Sequence, residues 1–254
     1  MIPYRDENPT LKTPVVTYAI IALNVLVWVL VQGAGMGEPL ARSVCELGMI
    51  PSELTGRAVA GTVVPLGPGM ACQLDAGRGY LHIFSSMFMH GSWMHIIGNM
   101  WFFWIFGNNV EDSMGHFRFV VFYLMCGVAA ALAQVAMDPS SNVPVVGASG
   151  AISGVMGAYL ILYPRVRVYS LVFLGFFITT IALPAWAMLG YWILLQFLSA
   201  LPALAGAQAE AGVAFWAHIG GFITGAATIR LFARSDYLNS RKQNPWAPQR
   251  LRWG

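Results

Sequence analysis

Residues Val145–Leu160 read VVGASGAISGVMGAYL. The run is apolar enough to lie in a membrane, yet it packs four glycines into eleven residues and wedges Ser149 into Gly147-Ala148-Ser149-Gly150. A glycine inside a helix costs about 1 kcal/mol against alanine, so this density calls for a compensating contact. Gly150, Gly154 and Ala158 recur every four residues and form a small-residue ridge of the kind that lets membrane helices approach closely. Ser149 sits one residue before that ridge. Whether it is one more small residue or a nucleophile depends on a base being supplied at the same depth.

The whole chain has the composition of a membrane protein. Of 254 residues 57% are hydrophobic and 10% charged, where a soluble domain carries about 25% charged residues. The charges gather at the two ends and in short loops, and a net charge of +3 gives no footprint for nucleic acid. A bilayer-crossing helix needs about 20 apolar residues. The candidates are Val15–Gln32, Trp93–Phe106, Phe117–Met137, Val145–Tyr163, Pro184–Leu204 and Gly212–Phe232. The second is short unless it extends upstream through Leu81–Met89. Arg5 and Lys12 ahead of the first run resemble a signal peptide, but the run is long and lacks a small-residue cleavage site, so an uncleaved helix is expected. A further apolar run, Tyr169–Leu183, is bounded by Arg167 and Pro184 and reads as an interfacial segment or as part of the fifth span.

Basic residues collect on the cytoplasmic side. Arg5 and Lys12 at one end, and Arg234, Arg241, Lys242, Arg250 and Arg252 at the other, place both ends inside and favour an even number of spans. The expected fold is therefore an all-α polytopic bundle of six transmembrane helices. It comprises a cytoplasmic segment 1–14, a membrane domain 15–233 with a long outer loop 33–80, and a basic cytoplasmic tail 234–254. The 107–116 segment is expected as an inner turn. Cys45 and Cys72 share the outer loop and are able to pair if it faces an oxidising compartment, which spacing alone does not decide. Cys126 lies in an apolar run and reads as packing.

Polar groups within spans are costly and mark functional candidates. Here they are His90, His95 and Asn99 in HGSWMHIIGN, Ser149 and Ser153, and His218 in AHIGGFITG. Under six spans, the second, fourth and sixth run in the same direction. Ser149 then lies about 6 Å into its span and His218 about 9 Å into its own, while His95 and Asn99 occupy the same outer half. Ala217, Gly221 and Gly225 form a second small-residue ridge, and packing it on the first brings Ser149 and His218 within bonding reach. His95 and Asn99, at i and i+4, share a helix face and can add donors to an oxyanion hole beside the first-turn N–H groups at Ser149. His90, five residues before His95, points elsewhere and reads as a structural hydrogen-bonder. Ser153 reads as a hydroxyl bonded back to its own helix, and His82 and His116 as span-end residues. Histidines five apart do not share a helical face and no intramembrane carboxylate joins them, so neither a metal nor another cofactor is expected. A transporter would line a path through the membrane with polar groups, whereas these crowd into one half.

These motifs resemble the rhomboid family of intramembrane serine proteases. From about Leu81 to Phe232, HGSWMHIIGN matches the family's HxxxxHxxxN, GASG its GxSG, and AHIGGFITG its AHxxGxxxG. The resemblance implies a Ser149–His218 dyad, with the oxyanion held by the Ser149 N–H, His95 and Asn99. Gly147, Gly150, Gly154, Ala217, Gly221 and Gly225 pack around it. It also implies single-pass transmembrane substrates entering from the lipid bilayer past span five, and a multi-pass location that the six-span core places in a bacterial plasma membrane. The oligomeric state is left open. A catalytically silent relative that binds transmembrane helices is the alternative, although such relatives usually lose the Ser or the His. Two departures stand out. Many relatives carry an aromatic one turn after the nucleophile, where this chain has Ser153, and the Trp-Arg pair found in some relatives' first outer loop is missing from Gly33–Tyr80.

Overall fold

The computed structural model describes residues 1–67, 70–75, 79–175, 177–204 and 214–243. The expected Gly212 start of the last span and the tail residues Arg250 and Arg252 lie outside the described residues. A strand β1 (Ile2–Asp6) precedes α1 (Val15–Leu30). The long loop folds into α2 (Gly37–Leu47), α3 (Pro51–Leu54), the hairpin β2 (Val63–Gly67) and β3 (Met70–Gln73), and α4 (His82–Ser85). Then come α5 (Trp93–Met114), α6 (His116–Met137), α7 (Ser149–Leu162), β4 (Arg167–Leu174), β5 (Phe177–Pro184), α8 (Ala185–Leu204), α9 (Phe215–Phe232) and α10 (Ser235–Gln243). Helix α6 and the Ala185–Pro202 stretch of α8 are long and apolar enough to cross a membrane by length and composition. Helices α1 and α7 are shorter, about 24 Å and 21 Å at 1.5 Å per residue.

Four sequence expectations are corrected. Helix α5 gains its length downstream, reaching Met114, while the upstream Leu81–Met89 segment forms the separate α4 and a 3₁₀ turn. The polar residues that suggested an inner turn are buried helical anchors. Glu111 accepts hydrogen bonds from the backbone N–H groups of Val16 and Thr17, at 2.9 and 2.8 Å, and from the Thr17 hydroxyl at 2.6 Å. Asp112 accepts from the N–H groups of Leu11 and Lys12. Glu111 thus satisfies orphan donors in the first turn of α1, and Asp112 holds the segment that leads into it, which is why charge is tolerated inside α5. The turn itself is Gly115, whose φ of +83° is open to glycine at little cost and lets α6 begin one residue later.

The Tyr169–Leu183 run is a β-hairpin, where an interfacial segment or an extension of the fifth span had been expected. Strands β4 and β5 pair antiparallel in unbroken register from Arg167↔Pro184 to Leu174↔Phe177, and β1 adds to the other edge of β4. Its β-branched and aromatic residues suit a pleated surface, and Gly175, at φ +62°, supplies the turn. Helix α7 begins at Ser149, four residues later than expected, because Pro144 offers no N–H and Gly147 at φ +126° leaves the right-handed region. Upstream of it, Met49 and Val145 exchange two backbone hydrogen bonds, at 3.0 and 2.8 Å. Finally, Cys45 and Cys72 are joined in a disulfide that ties α2 to β3, while Cys126 is buried and free.

Helices α7 and α9 are the most closely packed pair. A Cβ on Gly221 would lie 2.0 Å from the Gly150 carbonyl oxygen, and one on Gly225 would lie 1.8 Å from that of Gly154. The two ridges therefore meet backbone to backbone. Gly150 and Gly154 themselves point their missing Cβ positions at Ala130 and Cys126 of α6. The buried core runs from Phe103 and Phe106 of α5 through Phe119, Phe122 and Tyr123 of α6 to Val155 and Tyr159 of α7.

Candidate active site

Three helix starts converge. His95 is the third residue of α5, Ser149 the first of α7 and His218 the fourth of α9. The side chain of Ser92 caps α5 by accepting from the His95 N–H at 3.2 Å. Equal depth, inferred from loop charges, thus takes a more local form: all three side chains project from the beginnings of their helices, with Ser149 at the position whose backbone N–H has no intrahelical partner.

The Ser149 hydroxyl lies 2.8 Å from His218 Nε2. The backbone contact between α7 and α9 one turn further along makes that distance possible. Ser153 bonds back, its hydroxyl donating to the Ser149 carbonyl at 2.7 Å. A cavity of about 520 Å³ opens over the pair, lined among others by His95, Asn99, Gly147, Ser149 and His218. Gly147 matters for its emptiness as well as its φ. The position its Cβ would take lies 2.7 Å from His95 Nε2 and 3.4 Å from Ser149 Oγ, so only glycine lets the His95 ring approach the backbone this closely beside the nucleophile. Asn99, one turn below His95, is buried and borders the same cavity.

His90 is fixed through its backbone. Gln32, just past α1, donates from Nε2 to the His90 carbonyl at 2.8 Å and accepts the His90 N–H at 2.7 Å. The reading that His90 points away from His95 is corrected: their rings meet edge to face, with centroids 5.1 Å apart. The break between α4 and α5 at Met89–Ser92 turns His90 inward, which straight helical spacing does not anticipate. Of the other two histidines, His116 contacts Glu111 at 2.5 Å, at the end of the bundle away from the cavity. His82 lies in α4.

Two residues at the site were not singled out from sequence. Gln196 of α8 places Oε1 2.8 Å from His218 Nδ1. Trp192, one turn earlier on α8, stacks obliquely on the His218 ring, with centroids 5.8 Å apart and planes at 39°. Treating neutral amides inside apolar helices as suspiciously as ionisable groups would have found Gln196.

Apolar helices packed through glycine ridges, with a cavity over a Ser–His pair, are the architecture of a polytopic helical membrane protein. The sequence model of the Rhomboid domain matches residues 77–235, more than half of the chain, and the chain belongs to the rhomboid family. Among curated proteins it is similar to "Rhomboid-like protein 11, chloroplastic" of Arabidopsis thaliana, at 40% identity over 70 residues, 28% of this chain and 25% of that protein. It is also similar to "Rhomboid protein 1, mitochondrial" of Saccharomyces cerevisiae, at 28% over 128 residues, 48% of this chain and 37% of that one. A third relative is "Rhomboid protease GluP" of Bacillus subtilis, at 27% over 147 residues, 58% of this chain and 24% of that protein. The matched part thus spans between about a quarter and two fifths of these relatives' lengths. Their names place relatives in chloroplasts and mitochondria as well as in a bacterium.

Proposed function

We propose that this protein is an intramembrane serine endopeptidase that cuts transmembrane segments of single-pass membrane proteins. The observation that carries the reading is the 2.8 Å approach of the Ser149 hydroxyl to His218 Nε2 at a cavity entered from one end of the bundle. Ser149 attacks the scissile carbonyl while its proton passes to His218 Nε2. The developing oxyanion is received by the Ser149 N–H and by His95 and Asn99, which border the same cavity as the nucleophile. His218 returns the proton to the leaving amine, and water then releases the acyl group by the same steps. The first-turn position of Ser149 adds the positive end of the helix dipole.

Helices α1, α5, α6, α7, α8 and α9 are the six spans of this reading, within a membrane domain 15–233. Support comes from the far end of the bundle. There the segment before α1 is bonded to Asp112, and the Arg234 N–H after α9 donates to the Ser113 carbonyl at 2.9 Å, so both flanking segments share one side. Their basic residues make that side cytoplasmic, and the cavity opens outward.

The test is labelling of the purified, detergent-solubilised protein with a fluorophosphonate, which forms an Oγ–P bond, expels fluoride and gives the serine proton to the base. Labelling is expected in the wild type and lost in both Ser149→Ala and His218→Ala. A folded wild type that resists the probe, or labelling that survives either substitution, overturns the protease reading in favour of helix binding without cleavage.

A further inference from the structure

We propose that Gln196 is a positioning residue for this chemistry, its side-chain oxygen holding His218 in the tautomer whose Nε2 faces Ser149. The inference rests on the serine-protease reading above. A neutral imidazole carries one N–H, and the group bonded to one ring nitrogen decides the role of the other. With Gln196 Oε1 accepting at 2.8 Å, the proton resides on Nδ1, and the Nε2 lone pair is left for the Ser149 hydroxyl at 2.8 Å. The result is a chain, Gln196–His218–Ser149, drawn from α8, α9 and α7.

The same helix also supports the ring face. Trp192 and Gln196, at i and i+4, lie on one side of α8 and contact His218 by stacking and by hydrogen bond respectively. Ser153, one turn after the nucleophile, is occupied with the Ser149 carbonyl and leaves the ring to them. The imidazole is therefore steadied from α8, a helix that contributes neither member of the Ser–His pair and exposes Trp186, Tyr191, Leu194 and Leu198 away from the bundle. Base alignment depends on α8 being docked.

An amide differs from a carboxylate in one respect that makes the idea testable. Turned over, it presents NH₂ to Nδ1 and stabilises the tautomer with hydrogen on Nε2, in which the imidazole cannot accept the serine proton. A carboxylate only accepts, and it also favours the imidazolium. The experiment measures fluorophosphonate labelling rate against pH for the full-length wild type, Gln196→Met, Gln196→Glu and Ser149→Ala, with thermal unfolding recorded for each. Met matches glutamine in length, removes its hydrogen-bonding amide and suits an apolar helix, so the fold should persist. Its labelling is expected to slow by about tenfold to a hundredfold. Glu is expected to restore the rate, with the acid limb of the profile moved to higher pH. A Gln196→Met protein that labels at the wild-type rate, or a Glu variant whose acid limb stays in place, overturns the assignment while leaving the Ser149–His218 reading intact. Wild-type labelling that survives Ser149→Ala overturns both.

Discussion

Gly225→Ala isolates the packing that brings the two halves of the site together. A Cβ at that position would sit 1.8 Å from the Gly154 oxygen and 2.5 Å and 2.7 Å from its carbonyl carbon and Cα. All three are backbone atoms, so no rotamer change relieves the contact. Ordinary carbon–oxygen approach is about 3.3 Å, which requires α9 to retreat from α7 by about 1.5 Å. Carried along the helix to His218, a comparable retreat stretches the 2.8 Å Ser149–His218 contact to about 4 Å, beyond hydrogen-bond reach. Overpacking costs about 1–3 kcal/mol, against at most about 1 kcal/mol gained by replacing glycine in a helix. The expected outcome is a lower unfolding temperature, by about 2–4 °C per kcal/mol for a chain of this size, together with loss of fluorophosphonate labelling. Gly190→Ala in α8 is the control, since a Cβ there meets nothing within 4 Å. A Gly225→Ala protein that unfolds and labels like wild type would refute the backbone contact, and with it the account of the glycine ridges.

Three further outcomes follow from the same structure. Gly147→Ala forces a side chain into φ +126° and against His95 Nε2 at 2.7 Å, so labelling should drop at least tenfold. Wild-type labelling by that variant would remove His95 from the site. Reducing the Cys45–Cys72 bond, which closes a separation of 27 residues, should lower stability by about 3–4 kcal/mol on the chain-entropy argument. Two alkylatable thiols should appear in mass spectra only after reduction, and their presence beforehand would show that the pair is not formed. Glu111→Ala strands three donors at the start of α1 and should destabilise by about 3–5 kcal/mol. Unchanged unfolding would show that the anchor contributes nothing.

The apolar helices and the convergence of Ser149, His95, Asn99 and His218 were legible because hydropathy and helical spacing are local properties. What escaped depended on distant partners. GNNVEDSM at the end of α5 reads as a turn until Val16, Thr17, Leu11 and Lys12, about a hundred positions earlier in the chain, supply donors to its carboxylates. The β4–β5 hairpin did carry a local signal, two eight-residue strands rich in β-branched and aromatic residues around Gly175. Its overall apolarity masked that signal in a chain already read as spans. The start of α7 was misplaced because a hydropathy window passes over Pro144 and Gly147, the two residues that fix the backbone there. Gln196 was passed over because a lone amide has no motif, and its role exists only once α8 meets His218.

The pairing of β1 with β4 sets an order of events during synthesis. Ile2 lies opposite Leu171, so at about 5–20 residues per second the partner strand emerges roughly ten to thirty seconds after β1 has left the ribosome. In that interval α5 is the available dock. The Trp101 indole N–H donates to the Pro3 carbonyl at 2.5 Å, and the Asn109 side chain donates to Asp6 at 3.0 Å. Strand β1 can thus be parked against α5 with one edge open until the hairpin arrives and closes it. The sheet becomes a late fastening between β1 and the segment that leads into α8, so the helix that steadies His218 is set in place only after most of the bundle exists.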